Sequence, residues 1–257
     1  ASRLGWTVIL LLPVVLLRCR AELRRVTARD LVLCGASGVL LALHFLTWFE
    51  SLKRTSVASS TVLVSTEVIF TALGFALFLH GKIPRLGVWA ILLAFGGSAL
   101  LALSGGGGAG ELSGNLLALA AASAAAVYTL IGRIQRGHLS TTVYTFLTYL
   151  ACFLTLLLGT AAAGTPLTGY GGREWLIGLA LAVLCTLLGH SLFSWCLKYL
   201  SPSYVSAAKL CEPVFSSLAA IPLFGEVPGP LQLAGGAAVL GAVLLYTWAE
   251  REKTPAG

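Results

Sequence analysis

Residues 201–225 read SPSYVSAAKLCEPVFSSLAAIPLFG, an apolar helical run with Lys209, Glu212 and Pro213 near its middle. Its length and apolarity are those of a membrane span, where each ionised group near the centre costs about 2.5 to 3.5 kcal/mol on insertion scales. Two charges and a helix breaker at that depth therefore mark a site, and not a simple anchor. The same design occurs earlier: residues 55–80, TSVASSTVLVSTEVIFTALGFALFLH, place Glu67 midway, with no other charge in the segment before His80.

Composition sets the class. With 57% apolar and 11% charged residues in a chain of 257, a soluble core cannot absorb the sequence without large exposed apolar patches. The chain reads as an all-α polytopic membrane protein embedded in a lipid bilayer. Its net charge of +7 is spread over short loops with no basic stripe or interleaved aromatic platform, so nucleic acid is not an expected partner. The six cysteines (19, 34, 152, 185, 196 and 211) show no CxxC spacing and mostly lie inside apolar runs. They read as small buried residues, with neither metal nor disulfide implied. The sequence begins at Ala1, contains no Met and shows no signal-peptide pattern.

Working outward, apolar runs fall at about residues 4–17, 31–49, 55–80, 86–104, 112–134, 141–163, 174–197, 203–224 and 231–248, nine expected spans. The first is short for a bilayer and reads as a helix cut at its N-terminal end. Residues 105–110, GGGGAG, have neither the preceding strand nor the Lys-Ser/Thr of a phosphate-cradling loop and read as a flexible linker. The expected organisation is a first repeat at 1–104, a linker at 105–111, a second repeat at 112–248 and a polar tail at 249–257.

The repeat is visible in the residues. Shifting by 145 places Lys53 on Lys198, Ser56 on Ser201, Glu67 on Glu212 and Phe70 on Phe215; a one-residue gap then aligns 81–84, GKIP, with 225–228, GEVP. Equivalent elements are five spans apart, and an odd number inverts the second copy. Inverted repeats characterise secondary transporters. Loop charges agree: with residues 18–30 inside, twelve of the seventeen Lys and Arg lie inside, four (Arg3, Lys53, Arg54 and Arg173) outside, and Lys209 within a span. This sense puts the C-terminus in the cytoplasm, and four spans before the linker against five after it imply one helix ahead of Ala1 in a ten-helix parent.

The blocks TSVASSTVLVSTEVIFTAL and LFLHGKIP, and in the second half HSLFSWCLKYLSPSYVSAAKLCEPVFSSLAAIPLFGEVPGPLQLAGGAAVLGAVLL, resemble the EamA-type branch of the drug/metabolite transporter superfamily. The resemblance covers nearly the whole chain and is carried by these blocks. It implies ten helices in two inverted five-helix repeats and a central cavity between the halves. It further implies a bacterial inner-membrane carrier, typically an exporter of amino acids or other small metabolites. Two departures stand out: Val68 occupies the place of the Pro that follows Glu212, and the family's first helix is absent.

Glu67 shares a helical face with Ser60, Thr71 and Gly74, which suits either a lining carboxylate that takes a proton or a cationic group, or a protonated acid bonding across helices. Lys209 and Glu212 are three apart and on one face with Ser206 and Ser216, as a substrate-binding set or as a self-neutralising pair. Pro213 removes a backbone N–H and frees the carbonyl near Lys209, a helix break tolerated where it faces a cavity. His44 and His190, each late in the span before a Glu helix, are proton-relay candidates against the alternative of interhelical donors. Of the aromatics, Tyr128 lies well inside its span and is the lining candidate. Gly96, Gly97, Gly235, Gly236 and Gly241 read as close-packing positions.

The expected function is outward secondary transport of a small polar or zwitterionic metabolite such as an amino acid, by alternating access, proton-coupled or by exchange. No nucleotide loop, cofactor motif, metal cluster or catalytic residue is expected. The alternatives are a membrane scaffold without transport, or an intramembrane enzyme using Glu67, Glu212 and His190, which lacks HExxH, GxSxG or paired-Asp patterns.

Overall fold

The computed structural model describes residues 1–55, 57–103, 112–164, 169–212, 214–215 and 229–251. Pro213, Ser216, the glycine linker and the end of the polar tail lie outside them. All regular structure among the described residues is helical: α1 (Ser2–Arg18), α2 (Arg20–Leu23), α3 (Ala28–Arg54), α4 (Val57–Ser65), α5 (Glu67–Phe78), α6 (Arg85–Leu103), α7 (Leu112–Gln135), α8 (Thr141–Ala162), α9 (Gly172–Leu181), a π-helical segment (Ala182–His190), α10 (Ser191–Cys196), α11 (Pro202–Lys209) and α12 (Pro230–Arg251). Among the described residues five stretches are long and apolar enough to cross a bilayer: Ala28–Arg54, Ser60–Phe78, Leu112–Gln135, Thr141–Ala162 and Gly172–Cys196. Arg85–Leu100 and Leu233–Ala249 are shorter apolar helices. Large apolar side chains such as Phe78, Trp89, Leu158, Leu184 and Leu244 are exposed, a surface suited to lipid and costly in water. The chain is a multi-pass helical membrane protein.

The helices sort into two compact units, Ala1–Leu43 with Val127–Leu200, and His44–Ala126 with Ser201–Gly257. In the first, α1 packs on α8, α9 and the π-helical segment. Thr27 and Asp30 form a reciprocal N-terminal cap for α3: the Thr27 backbone N–H and hydroxyl donate to Asp30 Oδ2 at 3.0 and 2.7 Å, and the Asp30 N–H donates to Thr27 Oγ1 at 3.2 Å. Asp30 Oδ1 also meets His138 Nε2 at 2.7 Å and accepts from Gln135 Nε2 at 3.2 Å, tying the start of α3 to the end of α7. Nearby, Arg133 Nη1 donates to the carbonyls of Leu197 and Lys198 at 2.6 and 3.0 Å, and Arg136 Nε to that of Ser194 at 2.9 Å. Two cations thus satisfy the C-terminal carbonyls of α10, where the helix dipole is negative. Ser140 caps α8 by accepting from the Val143 N–H at 3.2 Å.

The second unit is built on α6 against α12. Ala90, Ile91, Ala94 and Ser98 on α6 and Val239, Ala242 and Tyr246 on α12 recur every three or four residues and are buried. In lipid there is no hydrophobic drive to join two apolar helices, so small residues that allow close contact do the work. Gly97 shows this directly: a Cβ built there would lie 2.8 Å from the Gly235 carbonyl oxygen and 3.0 Å from Ala238 Cβ. The packing expectation therefore fits Gly97, while a Cβ at Gly96 or Gly241 would meet nothing within 4 Å. Val68 and Ala72 of α5, with Ala207 and Leu210 at α11, join this core. Hydroxyl and amide bonds tie α3 to its neighbours: Ser51 donates to Ser60 at 2.9 Å, and Thr55 to Asn115 Oδ1 at 2.9 Å.

Candidate functional site

The site begins with an interruption. The expected continuous helix through Glu67 is two helices, α4 and α5, joined at Thr66. Ser65 Oγ donates to the Thr61 carbonyl at 2.8 Å and Thr66 Oγ1 to that of Leu63 at 2.6 Å, while the Thr66 N–H also takes Leu63 O at 3.1 Å instead of the oxygen four residues back. Hydroxyls that fold back on the helix in this way bend it. Glu67 is consequently the first residue of α5, and no Pro was needed to produce the break. The second Glu helix tightens likewise: the N–H groups of Leu210 and Cys211 bond the carbonyls of Ala207 and Ala208, both at 3.1 Å, as α11 ends at Lys209. Each break immediately precedes a glutamate of an apolar run.

These two breaks bring charges together inside the second unit. Lys209 Nζ donates to Glu67 Oε1 at 2.6 Å, the two side chains being 18% and 12% exposed. Ser206 Oγ lies 3.5 Å from the same oxygen, at the limit of a hydrogen bond. The ion pair seen is Lys209 with Glu67; Glu212, whose pairing with Lys209 the three-residue spacing suggested, lies near enough to feel the charges of both. Glu212 itself is exposed. The arrangement offers an ammonium, a carboxylate and a hydroxyl in contact, with a second carboxylate nearby.

The remaining candidates are placed as follows. His44, in the same unit, is buried and its Nδ1 lies 3.0 Å from the Ala121 carbonyl. A carbonyl only accepts, so Nδ1 carries the proton of this interhelical bond. The His44 ring also lies against Trp48, centroids 5.8 Å apart. Tyr128 and His190 belong to the first unit: buried Tyr128 has its hydroxyl 3.3 Å from Ser194 Oγ, and half-buried His190 ends the π-helical segment. Pro213 lies outside the described residues.

Three features were missed by reading the sequence. The π-helical segment is one, and hydropathy carries no signal for it. Arg3 is another: it is counted with the outer loop charges, yet its Nε donates to buried Thr186 of the π-helical segment at 2.6 Å. The third is the Thr27–Asp30 cap, legible as Thr-x-x-Asp before an apolar run. Among the described residues no group of three or more His, Cys, Asp or Glu is placed to hold a metal ion.

The description EamA-like transporter family matches residues 1–103 and 112–248. The chain belongs to the EamA-like transporter family. Among its relatives, the pseudopaline exporter CntI of Pseudomonas aeruginosa is 24% identical over 207 residues, covering 80% of this chain and 72% of the relative. A probable terminal-alkyne amino-acid exporter of Streptantibioticus cattleyicolor is 28% identical over 233 residues, covering 86% of this chain and 75% of the relative. A solved crystal structure matches 98% of this chain and 88% of its own with a TM-score of 0.76 at 20% identity, a likeness of fold alone.

Proposed function

We propose that this EamA-family chain is a secondary exporter of small zwitterionic metabolites such as amino acids, working by alternating access with proton coupling or exchange. The observation that carries the reading is the sheltered Lys209–Glu67 pair at two helix breaks, with Ser206 and Glu212 beside it. Charges at such depth are costly and mark substrate or ion pathways, and broken helices at that depth form transporter sites. Lys209 receives the substrate's acidic group; Glu67 or Glu212 receives its ammonium or a proton. His44 serves as a supporting polar group in the same unit, and Tyr128 and His190 are proposed as polar coupling groups within the first unit. Relatives named as exporters, one of them of an amino acid, support both the direction and the substrate class.

The proposed setting is the bacterial inner membrane, with Gly257 cytoplasmic and Ala1 outside. The proposed repeats run 1–104 and 112–248, related by inversion, joined at 105–111 and followed by a tail at 249–257. The test is counterflow in proteoliposomes: a carrier preloaded with unlabelled substrate accumulates labelled amino acid transiently. Absence of counterflow across an amino-acid panel would leave the scaffold reading, and chemically altered product would indicate an enzyme.

A further inference from the structure

In a helix within lipid, a buried hydroxyl satisfies itself by folding back on the carbonyl one turn behind. This protein does so repeatedly: Ser65 bonds Thr61 O, Thr145 bonds Thr141 O, Thr155 bonds Ala151 O and Thr247 bonds Val243 O, at 2.7 to 2.8 Å. Among the described residues four buried hydroxyls do otherwise, those of Thr71, Ser98, Thr148 and Ser203, and two of them, Thr71 on α5 and Ser203 on α11, lie on helices that meet at the ion pair. Both are 0% exposed, and neither hydroxyl has a hydrogen-bonding partner among the described protein atoms. Ser203 is in the first turn of α11, where no helical carbonyl lies behind it. Thr71 has the Glu67 carbonyl within its own helix and does not use it.

Their placement is shared. Glu67 and Thr71 are four apart on one face of α5; Ser203, Ser206 and Lys209 follow one another at spacings of three on α11. The two helices pack against each other and meet at the ion pair, where α5 begins and α11 ends. Leaving the pair along α5 and going back along α11 therefore leads in the same direction, toward His80 and Pro202. Thr71 lies about 6 Å from Glu67 along that axis and Ser203 about 9 Å from Lys209, at 1.5 Å of rise per residue. Thr71 and Ser206 thus step from the pair toward one end of the seam, and Ser203 lies one turn beyond Ser206, about 120° around α11 from Lys209. Buried polar groups unsatisfied by protein are satisfied by ordered water where the site is polar and has several partners.

We infer that the α5–α11 seam holds water from the Lys209–Glu67 pair past Ser206, Thr71 and Ser203 to its cytoplasmic end. This rests on the proposed reading of the pair as the transport site and deepens it, because a hydrated seam is the aqueous access by which Glu67 exchanges protons with one side. Thr71 and Ser203 position that water. Neither binds substrate.

The test uses thiol accessibility in the full chain, with Thr71→Cys and Ser203→Cys examined singly and Ala207→Cys, in the apolar core on the same helix, as the control. The probe is the small, permanently cationic reagent 2-(trimethylammonium)ethyl methanethiosulfonate, applied to inside-out and right-side-out vesicles. Mass spectrometry resolves each labelled position, so the native cysteines stay in place. Reactivity follows access of reagent and water to the thiol, so both new thiols are expected to react about tenfold or more faster than Ala207→Cys, from the cytoplasmic face. Rates equal to that of Ala207→Cys at both positions, or labelling from the outer face only, would overturn the inference. Conservative Thr71→Ser and Ser203→Thr should retain wild-type counterflow, whereas Thr71→Val with Ser203→Ala should slow pH-gradient-driven transport while sparing counterflow. Pairwise slowing of both activities would mean a structural role and also overturn it. If wild-type counterflow is absent while both thiols label, the transport reading falls and the hydrated seam stands.

Discussion

Replacing Lys209 by Met removes the ammonium 2.6 Å from Glu67 Oε1 and leaves two carboxylates, Glu67 and Glu212, without it. Two unit charges about 4 Å apart attract by about 4 kcal/mol at an effective dielectric constant near 20. Most of that gain is offset by desolvation, so the pair contributes little net stability. Breaking it is another matter, since removing one partner of a fully buried pair costs about 3 to 5 kcal/mol. Side chains 18% and 12% exposed retain some solvation, which lowers the expected loss for Lys209→Met to about 2 to 3 kcal/mol. Glu67→Gln should cost less, because Lys209 keeps Glu212 three residues away. The double change Glu67→Gln with Lys209→Met should lie within about 1 kcal/mol of the native chain, a coupling of about 2 kcal/mol. Equilibrium unfolding of purified protein in mixed micelles, followed by helical circular dichroism, reads all four proteins. Additive losses, with the double variant the least stable, would refute the ion pair as the energetic unit of the site. The account also expects the stable double variant to show no counterflow; near-normal transport in it would make the pair purely structural.

Other outcomes follow from the packing. Gly97→Ala should destabilise by about 1 to 3 kcal/mol, since its Cβ would lie 2.8 Å from the Gly235 carbonyl, whereas Gly96→Ala should be tolerated; unfolding midpoints of the two variants check this. Thr27→Ala removes the cap of α3 and should cost about 1 kcal/mol in the same assay. A reporter active only in the periplasm should signal when fused ahead of Ala1 and stay silent after Gly257, and signal from the C-terminal fusion would contradict the inverted arrangement.

The spans were legible because apolar runs separated by short charged turns leave little freedom: the expected 31–49, 86–104, 112–134 and 141–163 sit within one or a few residues of α3, α6, α7 and α8. Charges within apolar runs are conspicuous in the sequence alone, which is what singled out Glu67, Lys209 and Glu212 as candidates. The partner of Lys209 was not legible. A one-dimensional reading extends 3.6-residue periodicity through residues 201–225, and Glu212 then falls beside Lys209. The helix stops at Lys209, and the nearest carboxylate comes from 142 positions away. The break at Thr66 was equally hidden: Pro213 drew attention to the second helix, while Ser65 and Thr66 accomplish a comparable break through side-chain bonds to backbone. The widened turns of Ala182–His190 and the reach of Arg3 to Thr186 depend on hydrogen-bond register and packing, which hydropathy does not encode.

In the proposed function one site recognises both charges of a zwitterion, through Lys209 and through Glu67 with Glu212. Counterflow of an amino acid should be compared in the same proteoliposomes with its N-acetyl derivative, which has lost the ammonium, and its amide, which has lost the carboxylate. The account predicts robust counterflow of the amino acid and loss with both derivatives, with Lys209→Met abolishing the remainder. Equal counterflow of all three compounds, or amino-acid counterflow unchanged in Lys209→Met, would contradict it.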